Sequence, residues 1–310
     1  MKSILITGST GMVGRALVKN LKNKYKIFTP SSKELNLNNI EKIEKYLRKK
    51  KPTHIVHLAG YIGGIGANTN EPVRFLQDNI LIGINLIKIS HKLKIKNFLN
   101  MGSSCIYPVN QKRPNKEDKL LDGKIEKTNE SYAIAKITCV KMCEYISKNS
   151  SLNYFSLIPC NIYGPFDKYN VTNSHVVGSL IKKIYDAKNK NRKNVEIWGN
   201  GKPKRELIYV DDVADAIEKF LFKNKLVKNK KYWLNIGSGS DFSITSIAKK
   251  IAREFKFKGK FVYNHKKPNG AKSKLLDVSL SKTMGFEAKV DLNNGLKKTV
   301  KWYLDNYRKL

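Results

Sequence analysis

The sequence predicts an α/β fold of the Rossmann type, a doubly wound parallel sheet with a smaller, interleaved C-terminal lobe. Three observations predict it. Short apolar segments alternate with helix-periodic segments through the first half of the chain. A glycine-rich turn stands between the first predicted strand and the first predicted helix. The chain has 310 residues, 41% of them hydrophobic, which is enough for one large core or for two lobes sharing a cleft.

The predicted elements follow one another in order from the N-terminus. Strands are expected at 2–7, 25–29, 54–58, 97–101 and 154–158, and helices at about 12–22, 40–50, 71–93, 132–147 and 176–186. A glycine-rich loop through Gly66 follows the third strand. The alternation is less regular beyond Pro165, but residues 206–210 and 233–236 have strand patterns that could rejoin the first sheet. We therefore expect a dinucleotide-binding domain over residues 1–165, completed by strands near 206–236, and a mainly substrate-binding lobe over 166–310.

Lysine and arginine number 60 against 25 acidic residues, which gives a formal net charge of +35. Such a charge is typical of proteins that bind nucleic acid or another polyanion. The lysines are spread along the whole chain, however, and no aromatic-rich RNA-binding motif accompanies them. We interpret the charge as a compositional bias and expect no nucleic-acid partner.

No apolar run approaches the ~18 residues that a membrane helix needs. The N-terminus passes directly into a strand pattern, without the longer apolar stretch of a signal peptide. These features predict a cytoplasmic protein with no membrane partner. The cysteines, Cys105, Cys139, Cys143 and Cys160, form no C-x-x-C pair, so neither a disulfide framework nor a metal site is expected.

The turn from Gly8 to Gly14 has the features of a dinucleotide-binding site. A Cβ at its glycines would block the approach of a pyrophosphate to the backbone, and the start of the next helix offers free N–H groups to the anion. The alternative is a purely structural tight turn, but the strand before and the helix after favour a cofactor site.

The residues at the end of the second strand determine which cofactor is bound. There, Ser32 and Lys33 precede the first carboxylate, Glu34, which favours NADP over NAD.

Tyr132 and Lys136 lie four residues apart, on one face of a predicted helix. Tyr46 and Lys50 have the same spacing, so spacing alone proves little. Only Tyr132 follows a strand that ends in a Gly-Ser-Ser sequence, and the ends of parallel strands are where open sheets bind ligands. A neighbouring ammonium is expected to lower the pKa of a tyrosine, and Ser103 could hydrogen-bond the same carbonyl oxygen. The spacing and context favour a catalytic Ser-Tyr-Lys set over a core tyrosine with a solvated lysine.

Several segments resemble GDP-L-fucose synthases, a family within the extended short-chain dehydrogenases/reductases. The resemblance covers nearly the whole chain in order, and its most specific motifs are Ser103-Ser104-Cys105 and Asn173-Ser174-His175. The other matching segments are 128–136, 161–165, 198–201, 205–206, 210–212 and 235–239.

The resemblance implies a reaction and its residues. GDP-4-keto-6-deoxy-D-mannose would be epimerised at carbons 3 and 5 and then reduced at carbon 4 by NADPH, giving GDP-L-fucose. Cys105 and His175 would be the base and the acid of the epimerisation, beside the Ser103, Tyr132 and Lys136 set. The implied contacts to NADP are Gly8, Thr10, Gly11, Met12, Val13, Gly14, Ser32, Lys33, Ala59, Lys136, Pro159, Asn161, Ile162 and His175. The implied contacts to the GDP-sugar are Ser104, Asn161, Lys183, Trp198, Arg205 and Lys274.

Some positions depart from the family pattern. The family commonly has arginine where Thr10 and Ser32 stand, and Asn269 and Ser273 alter a loop that usually helps to bind the nucleotide. Related GDP-4-keto sugars such as a 6-deoxyheptose therefore stay open as substrates. Two other functions also stay open: a non-catalytic nucleotide-binding regulator and a polyanion-binding protein. The resemblance also implies a homodimer built on the helix of the Tyr-Lys pair, with Ile134, Ile137, Val140 and Met142 as candidate interface residues or, equally, internal core.

Overall fold

A computed structural model describes residues 2–171, 174–222 and 225–309. The strands are β1 Ser3–Thr7, β2 Lys26–Phe28, β3 His54–His57, β4 Asn97–Met101, β5 Asn153–Pro159, β6 Asn161–Tyr163, β7 Asn194–Trp198, β8 Lys204–Tyr209, β9 Trp233–Ile236, β10 Asp241–Ser243 and β11 Lys260–Asn264. The helices are α1 Met12–Leu21, α2 Ile40–Lys50, α3 Ile65–Asn70, α4 Pro72–Lys92, α5 Glu130–Lys148, α6 Val176–Asn189, α7 Val210–Leu221, α8 Lys225–Lys228, α9 Ile244–Glu254, α10 Ser279–Thr283 and α11 Leu292–Asn306.

Six parallel strands form the central sheet, in the order β2-β1-β3-β4-β5-β9. Strands β1, β3, β4 and β5 are buried along their whole length because helices cover both faces. Leu17 of α1 and Ile217 of α7 pack on one face, and Ile43 of α2 and Leu86 of α4 pack on the other. This architecture confirms the predicted fold class.

The strand order reverses between β1 and β3, whose carboxyl ends lie side by side. Gly8 follows β1, and its α-carbon faces the backbone of Ala59 after β3. In open parallel sheets, such a reversal creates the crevice in which ligands bind. The fold therefore places the glycine-rich turn at the mouth of this crevice.

The smaller lobe contains two further sheets, β10-β8-β6 and β11-β7. Its core is formed by Ile181 and Ile184 of α6, Ile251 of α9 and Val300 of α11. β9 does join the central sheet, as its sequence pattern predicts. The expectation that residues 206–210 also rejoin that sheet is wrong. Since β9 occupies the position beside β5, β8 pairs instead with β6 and, antiparallel, with β10.

Most predicted boundaries agree with the structure within two or three residues. The predicted glycine-rich loop through Gly66 is an exception, because it runs into the short helix α3. No helix in the described part of the chain is both long enough and apolar enough to cross a membrane.

Candidate active site

A cavity of about 400 Å³ lies between the central sheet and the smaller lobe. It is bounded by the loops after β1, β3 and β4, the start of α6, the end of β7 and the start of β8. Most residues singled out in the sequence line it: Gly8, Gly11, Met12, Val13, Gly14, Ser103, Cys105, Tyr132, Lys136, Pro159, Asn161, Ile162, His175, Lys183, Trp198, Arg205 and Lys274. Residues far apart in sequence thus line one cavity.

Five of the predicted contact residues do not line this cavity. Ser104 is only 3% exposed, because it forms part of a short 3-10 turn packed into the core. Thr10 is exposed within the turn, where its backbone carbonyl accepts a hydrogen bond from Arg15. Ser32 and Lys33 are exposed beyond β2, and Ala59 meets the turn through its backbone. Asn173, the first residue of one predicted motif, lies outside the described residues.

The glycine-rich turn fits a dinucleotide. Gly8 has a φ of +71°, and a Cβ there would lie 2.7 Å from the Ala59 nitrogen. Gly11 immediately precedes α1 and has no side chain to cap it, so the first N–H groups of the helix have no side-chain acceptor at that position. This backbone arrangement suits a pyrophosphate. The residues that would hold the two ends of the cofactor are Asn161 and Ile162 at the nicotinamide, and Ser32 and Lys33 near the adenosine.

Replacing Gly14 by alanine is expected to lower the free energy of unfolding by about 1–3 kcal/mol, the usual cost of overpacking. The new Cβ would lie 2.2 Å from the Gly8 carbonyl oxygen and 2.6 Å from the Ser9 α-carbon, and neither backbone atom can move aside cheaply. Urea unfolding measures the change. Gly11→Ala is the matched control, because its Cβ would lie 3.4 Å from the same oxygen. Equal stability of the two variants would contradict this account of the turn.

The Tyr132 and Lys136 side chains come from the same face of α5, as their spacing predicts. Lys136 is buried and its Nζ donates to the Met101 carbonyl oxygen at 2.9 Å, which fixes it at the carboxyl end of β4. Its Nζ lies 5.7 Å from the centroid of the Tyr132 ring. Ser103 lies in the loop after β4, and its Oγ accepts from the Cys105 backbone N–H at 3.3 Å. The catalytic set predicted from the sequence therefore lies on one side of the cavity.

Burial raises the pKa of Tyr132 above its ordinary value of 10.0, and the nearby Cys105 acts in the same direction. The sequence predicts that Lys136 lowers this pKa; in the structure burial outweighs any such effect, and the Lys136 ammonium donates to the Met101 carbonyl. Burial also lowers the pKa of Lys136. Tyr132 therefore holds its proton at neutral pH, and an alkoxide oxygen is basic enough to accept that proton.

Cys105 is half-buried in the cavity wall, and Lys274 Nζ donates to its Sγ at 3.2 Å. The other cysteines, Cys139, Cys143 and Cys160, are at most 3% exposed. Cys105 is thus the thiol best placed to meet a ligand. The Lys274 ammonium and the hydroxyl groups of Ser103 and Tyr132 line the same cavity.

His175 stands immediately before α6, in the cavity wall. Burial, together with the positive charges of Lys168 and Lys274, lowers the pKa of His175 from 6.5 to about 4. The imidazole is therefore uncharged at neutral pH in this form. The structure places a neutral histidine where the sequence predicts a proton donor.

The end of the cavity away from the turn is basic and contains an aromatic ring. Lys183 and Lys267 each place Nζ 5.3 Å from the Trp198 ring centroid. Arg205 is buried, and its Nη1 donates to the carbonyl oxygens of Lys204 and Ala271 at 2.7 Å. Those bonds leave the remaining guanidinium N–H groups for a ligand, so this end suits a nucleoside diphosphate.

The departures Asn269 and Ser273 both have structural partners. Asn269 Oδ1 accepts from the Asn200 backbone N–H at 2.9 Å, which an aspartate could also do. Ser273 Oγ donates to Asp241 at 2.8 Å. Both contacts hold the 268–274 loop against the smaller lobe.

Sequence reasoning missed Asn129, Asp167 and Lys168, which also line the cavity. Asn129 lies three residues before Tyr132, inside a motif already singled out. Asp167 and Lys168 follow the Gly164-Pro165 pair after β6, and burial raises the pKa of Asp167 to about 7. The signal that could have found these residues is their position immediately beside recognised motifs.

Residues 4–237 match the model of the NAD dependent epimerase/dehydratase family. The chain belongs to this family. It is 44% identical to the GDP-L-colitose synthase of Yersinia pseudotuberculosis, over 97% of this chain and 98% of that protein. It is 37% identical to the GDP-L-fucose synthase of Azorhizobium caulinodans, over 98% and 96%. The resemblance noted in the sequence is therefore confirmed.

A solved structure that is similar to this chain has NADP bound. The GDP-mannoheptose C4 reductase from Campylobacter jejuni, with NADP bound, has a TM-score of 0.85 and 31% identity, over 98% of each chain. The similarity spans both lobes, so it includes the elements that bound the cavity.

Proposed function

We propose that the chain is an NADP-dependent epimerase and 4-reductase that converts GDP-4-keto-6-deoxy-D-mannose to GDP-L-fucose. One observation supports this most strongly: Ser103, Cys105, Tyr132, Lys136 and His175 all line one cavity. The cavity joins a dinucleotide turn at one end to a basic, aromatic end suited to GDP. We propose that the central sheet binds the cofactor and that the smaller lobe binds the nucleotide of the substrate.

The preference for NADP is supported by the region beyond β2. Glu34 is the carboxylate that could hydrogen-bond a free ribose there, but it accepts from the backbone N–H and the Oγ of Ser31, at 2.8 and 2.9 Å. Ser32 and Lys33 are exposed beside it and can meet a 2′-phosphate. When bound, the cofactor supplies the hydride for reduction.

Reduction needs a proton for the oxygen at carbon 4. Tyr132 carries that proton at neutral pH, and a developing alkoxide is basic enough to take it. Ser103 hydrogen-bonds the same oxygen. Lys136 donates to the Met101 carbonyl and so connects α5 to the end of β4 beside the cavity. Asn161 and Ile162, on β6, would orient the nicotinamide.

Epimerisation precedes reduction, because the ketone acidifies the protons on both neighbouring carbons. The Cys105 thiolate would take the proton from one face, and His175, once protonated in the substrate complex, would return one on the other face. Lys183, Trp198 and Arg205 would hold the GDP portion, with Trp198 stacking on the base. These residue roles are part of the proposal.

A second candidate product is GDP-L-colitose, which the 44% identity to a GDP-L-colitose synthase favours. Colitose lacks the 3-hydroxyl of fucose, so its formation needs epimerisation at carbon 5 but leaves no stereocentre to invert at carbon 3. Cys105 and His175 would serve that reaction equally well.

Parallel assays of NADPH oxidation with the GDP-4-keto-6-deoxy sugar and with its 3-deoxy counterpart decide between the two products. The main proposal expects a higher kcat/KM for the first sugar, and a higher kcat/KM with NADPH than with NADH. No oxidation of either coenzyme by folded protein would favour a GDP-heptose substrate or the non-catalytic regulator. Steeply salt-dependent retention on DNA without reductase activity would favour polyanion binding.

GDP binding is expected to raise the pKa of His175 by about one unit or more. Lys168 and Lys274 help to depress this pKa to about 4, and a diphosphate would offset their charge. NMR titration of the imidazole with and without saturating GDP measures the change. The buried His54, whose pKa is also lowered to about 4, does not line the cavity and is the internal control. An unchanged His175 pKa at GDP saturation would remove it from the substrate site.

We also propose a homodimer formed through α4 and α5, with the cytoplasm as its location. Val73 and Leu81 on α4, and Ile134 and Tyr145 on α5, are apolar or aromatic and between 39% and 72% exposed. The spacing within each pair places its two residues towards the same side of their helix. Sedimentation equilibrium tests this proposal; a Leu81→Glu variant should be monomeric, and a wild-type monomer at micromolar concentration would exclude it.

Most of the candidate interface residues named from the sequence take the alternative role given for them there, internal core. Ile137 and Val140 are at most 9% exposed, because they face the core between α5 and the sheet, and Met142 packs partly against that core. Of the four residues proposed from the sequence, only Ile134 is exposed enough to contribute substantially.

A further inference from the structure

The sulfur of Cys105 contacts a lysine from a distant part of the chain. Lys274 Nζ donates to Cys105 Sγ at 3.2 Å, and 169 positions separate the two residues. The resemblance to GDP-L-fucose synthases implies a different role for this lysine, contact with the GDP-sugar. The structure instead directs its ammonium at the thiol expected to act as a base.

The loop that carries Lys274 is fixed on both sides of it. Before it, the Ala271 carbonyl accepts from buried Arg205 at 2.7 Å, and Ser273 donates to Asp241 at 2.8 Å. After it, the Leu276 backbone N–H donates to the carboxylate of Glu206 at 2.8 Å. A loop fixed in this way holds its lysine in a defined position rather than leaving it to move freely in solvent.

Asn129 is the third member of this cluster. With its amide oxygen towards Lys274, it accepts from Nζ at 2.9 Å while its nitrogen donates to the Glu126 carbonyl at 3.3 Å. In the opposite orientation the nitrogen would lie 3.4 Å from Cys105 Sγ. The first orientation satisfies both ends of the amide and leaves the sulfur to Lys274.

The charged and titratable groups around the sulfur come from several elements. Tyr132 on α5 and Arg205 on β8 both interact electrostatically with Cys105. The charge of Glu126 raises the pKa of Arg205, and the charge of Lys274 lowers the pKa of His175. Among these groups, Lys274 is the cation that hydrogen-bonds the sulfur.

We propose that Lys274 is a positioning residue for Cys105: it stabilises the thiolate and directs it into the cavity for carbon-proton abstraction. This inference rests on the proposed function and deepens it. In the step, the C–H bond next to the ketone breaks, an S–H bond forms, and the electron pair moves to the ketone oxygen as an enolate. Lys274 then faces a neutral thiol, and the thiolate is restored when Cys105 gives up its proton.

The test measures the alkylation of Cys105 by iodoacetamide at pH 7.5, followed by peptide mass spectrometry. No sugar or cofactor is present, so the result does not depend on the proposed reaction. Cys105 is the accessible thiol, because the other three cysteines are at most 3% exposed. Lys274→Met is expected to slow alkylation at least about fivefold, since thiolate is the reactive form and a neighbouring lysine stabilises it. Lys274→Arg should keep most of the rate.

The matched control is Lys272→Met, two residues away in the same loop, where the side chain is exposed. It should react at the wild-type rate, and thermal unfolding confirms that each variant is folded. GDP affinity is measured in parallel. Wild-type alkylation in folded Lys274→Met, with or without weaker GDP binding, would overturn the proposal and leave Lys274 as a substrate ligand only. Equal slowing in Lys274→Arg would overturn it too.

Discussion

Tyr132→Phe is expected to reduce the rate of NADPH oxidation by about 10²–10⁴-fold, the usual contribution of a positioned proton donor. The variant removes one hydroxyl from a partly buried ring and leaves the ring contact with Phe75, at 6.2 Å between centroids, in place. This hydroxyl is protonated at neutral pH, so its loss removes the proton that the developing alkoxide needs. Steady-state kinetics at 340 nm, with NADPH affinity measured by fluorescence, separate lost chemistry from lost binding.

Tyr46→Phe is the matched control for this prediction. Tyr46 precedes Lys50 by the same four residues on α2, but it packs partly against the core and does not line the cavity. The control should oxidise NADPH at the wild-type rate. If Tyr132→Phe kept more than about a tenth of wild-type activity, the donor would have to be another group.

Cys105→Ala is expected to slow proton exchange at the carbons next to the ketone by about 10²–10⁴-fold, while leaving reduction possible. Cys105 shares its wall with Tyr132 and Ser103, but the reducing set retains its own contacts when the sulfur is removed. Deuterium incorporation from D₂O into the keto sugar, without NADPH, isolates the exchange step. NADPH oxidation measured separately should yield a reduced sugar with uninverted stereochemistry.

The outcome for Cys105→Ala distinguishes two readings of the cavity. Exchange at the wild-type rate would mean that the base is another residue and that Cys105 is a packing residue. Loss of both exchange and reduction, with GDP and NADPH bound normally, would mean that the enzyme reduces only the epimerised sugar.

Much of the fold was predictable because local signals and tertiary context agree. The apolar runs of β1, β3, β4 and β5 are typical of strands buried on both faces, and the structure buries each of them fully. The pairing of β8 was not predictable from its own residues. Its apolar pattern suits either sheet, and the choice depends on β9 occupying the position beside β5.

Some features of the candidate site were likewise predictable from the sequence, and others were not. The Tyr132 and Lys136 pair and the Gly8–Gly14 turn are local in sequence, so spacing and flanking elements indicate their roles. The contact of Lys274 with Cys105 joins distant segments through a loop held by Arg205 and Glu206, and no local pattern records it. The direction of the Tyr132 pKa also depends on burial, which the sequence does not show.

The central claim is that one cavity both epimerises and reduces a GDP-4-keto sugar. The most direct test supplies GDP-4-keto-6-deoxy-D-mannose and NADPH in D₂O and identifies the product by NMR. The account predicts GDP-L-fucose with deuterium at carbons 3 and 5 and one NADPH consumed for each product molecule. A reduced product with both centres uninverted and no deuterium would contradict it, and would leave the chain a 4-reductase only.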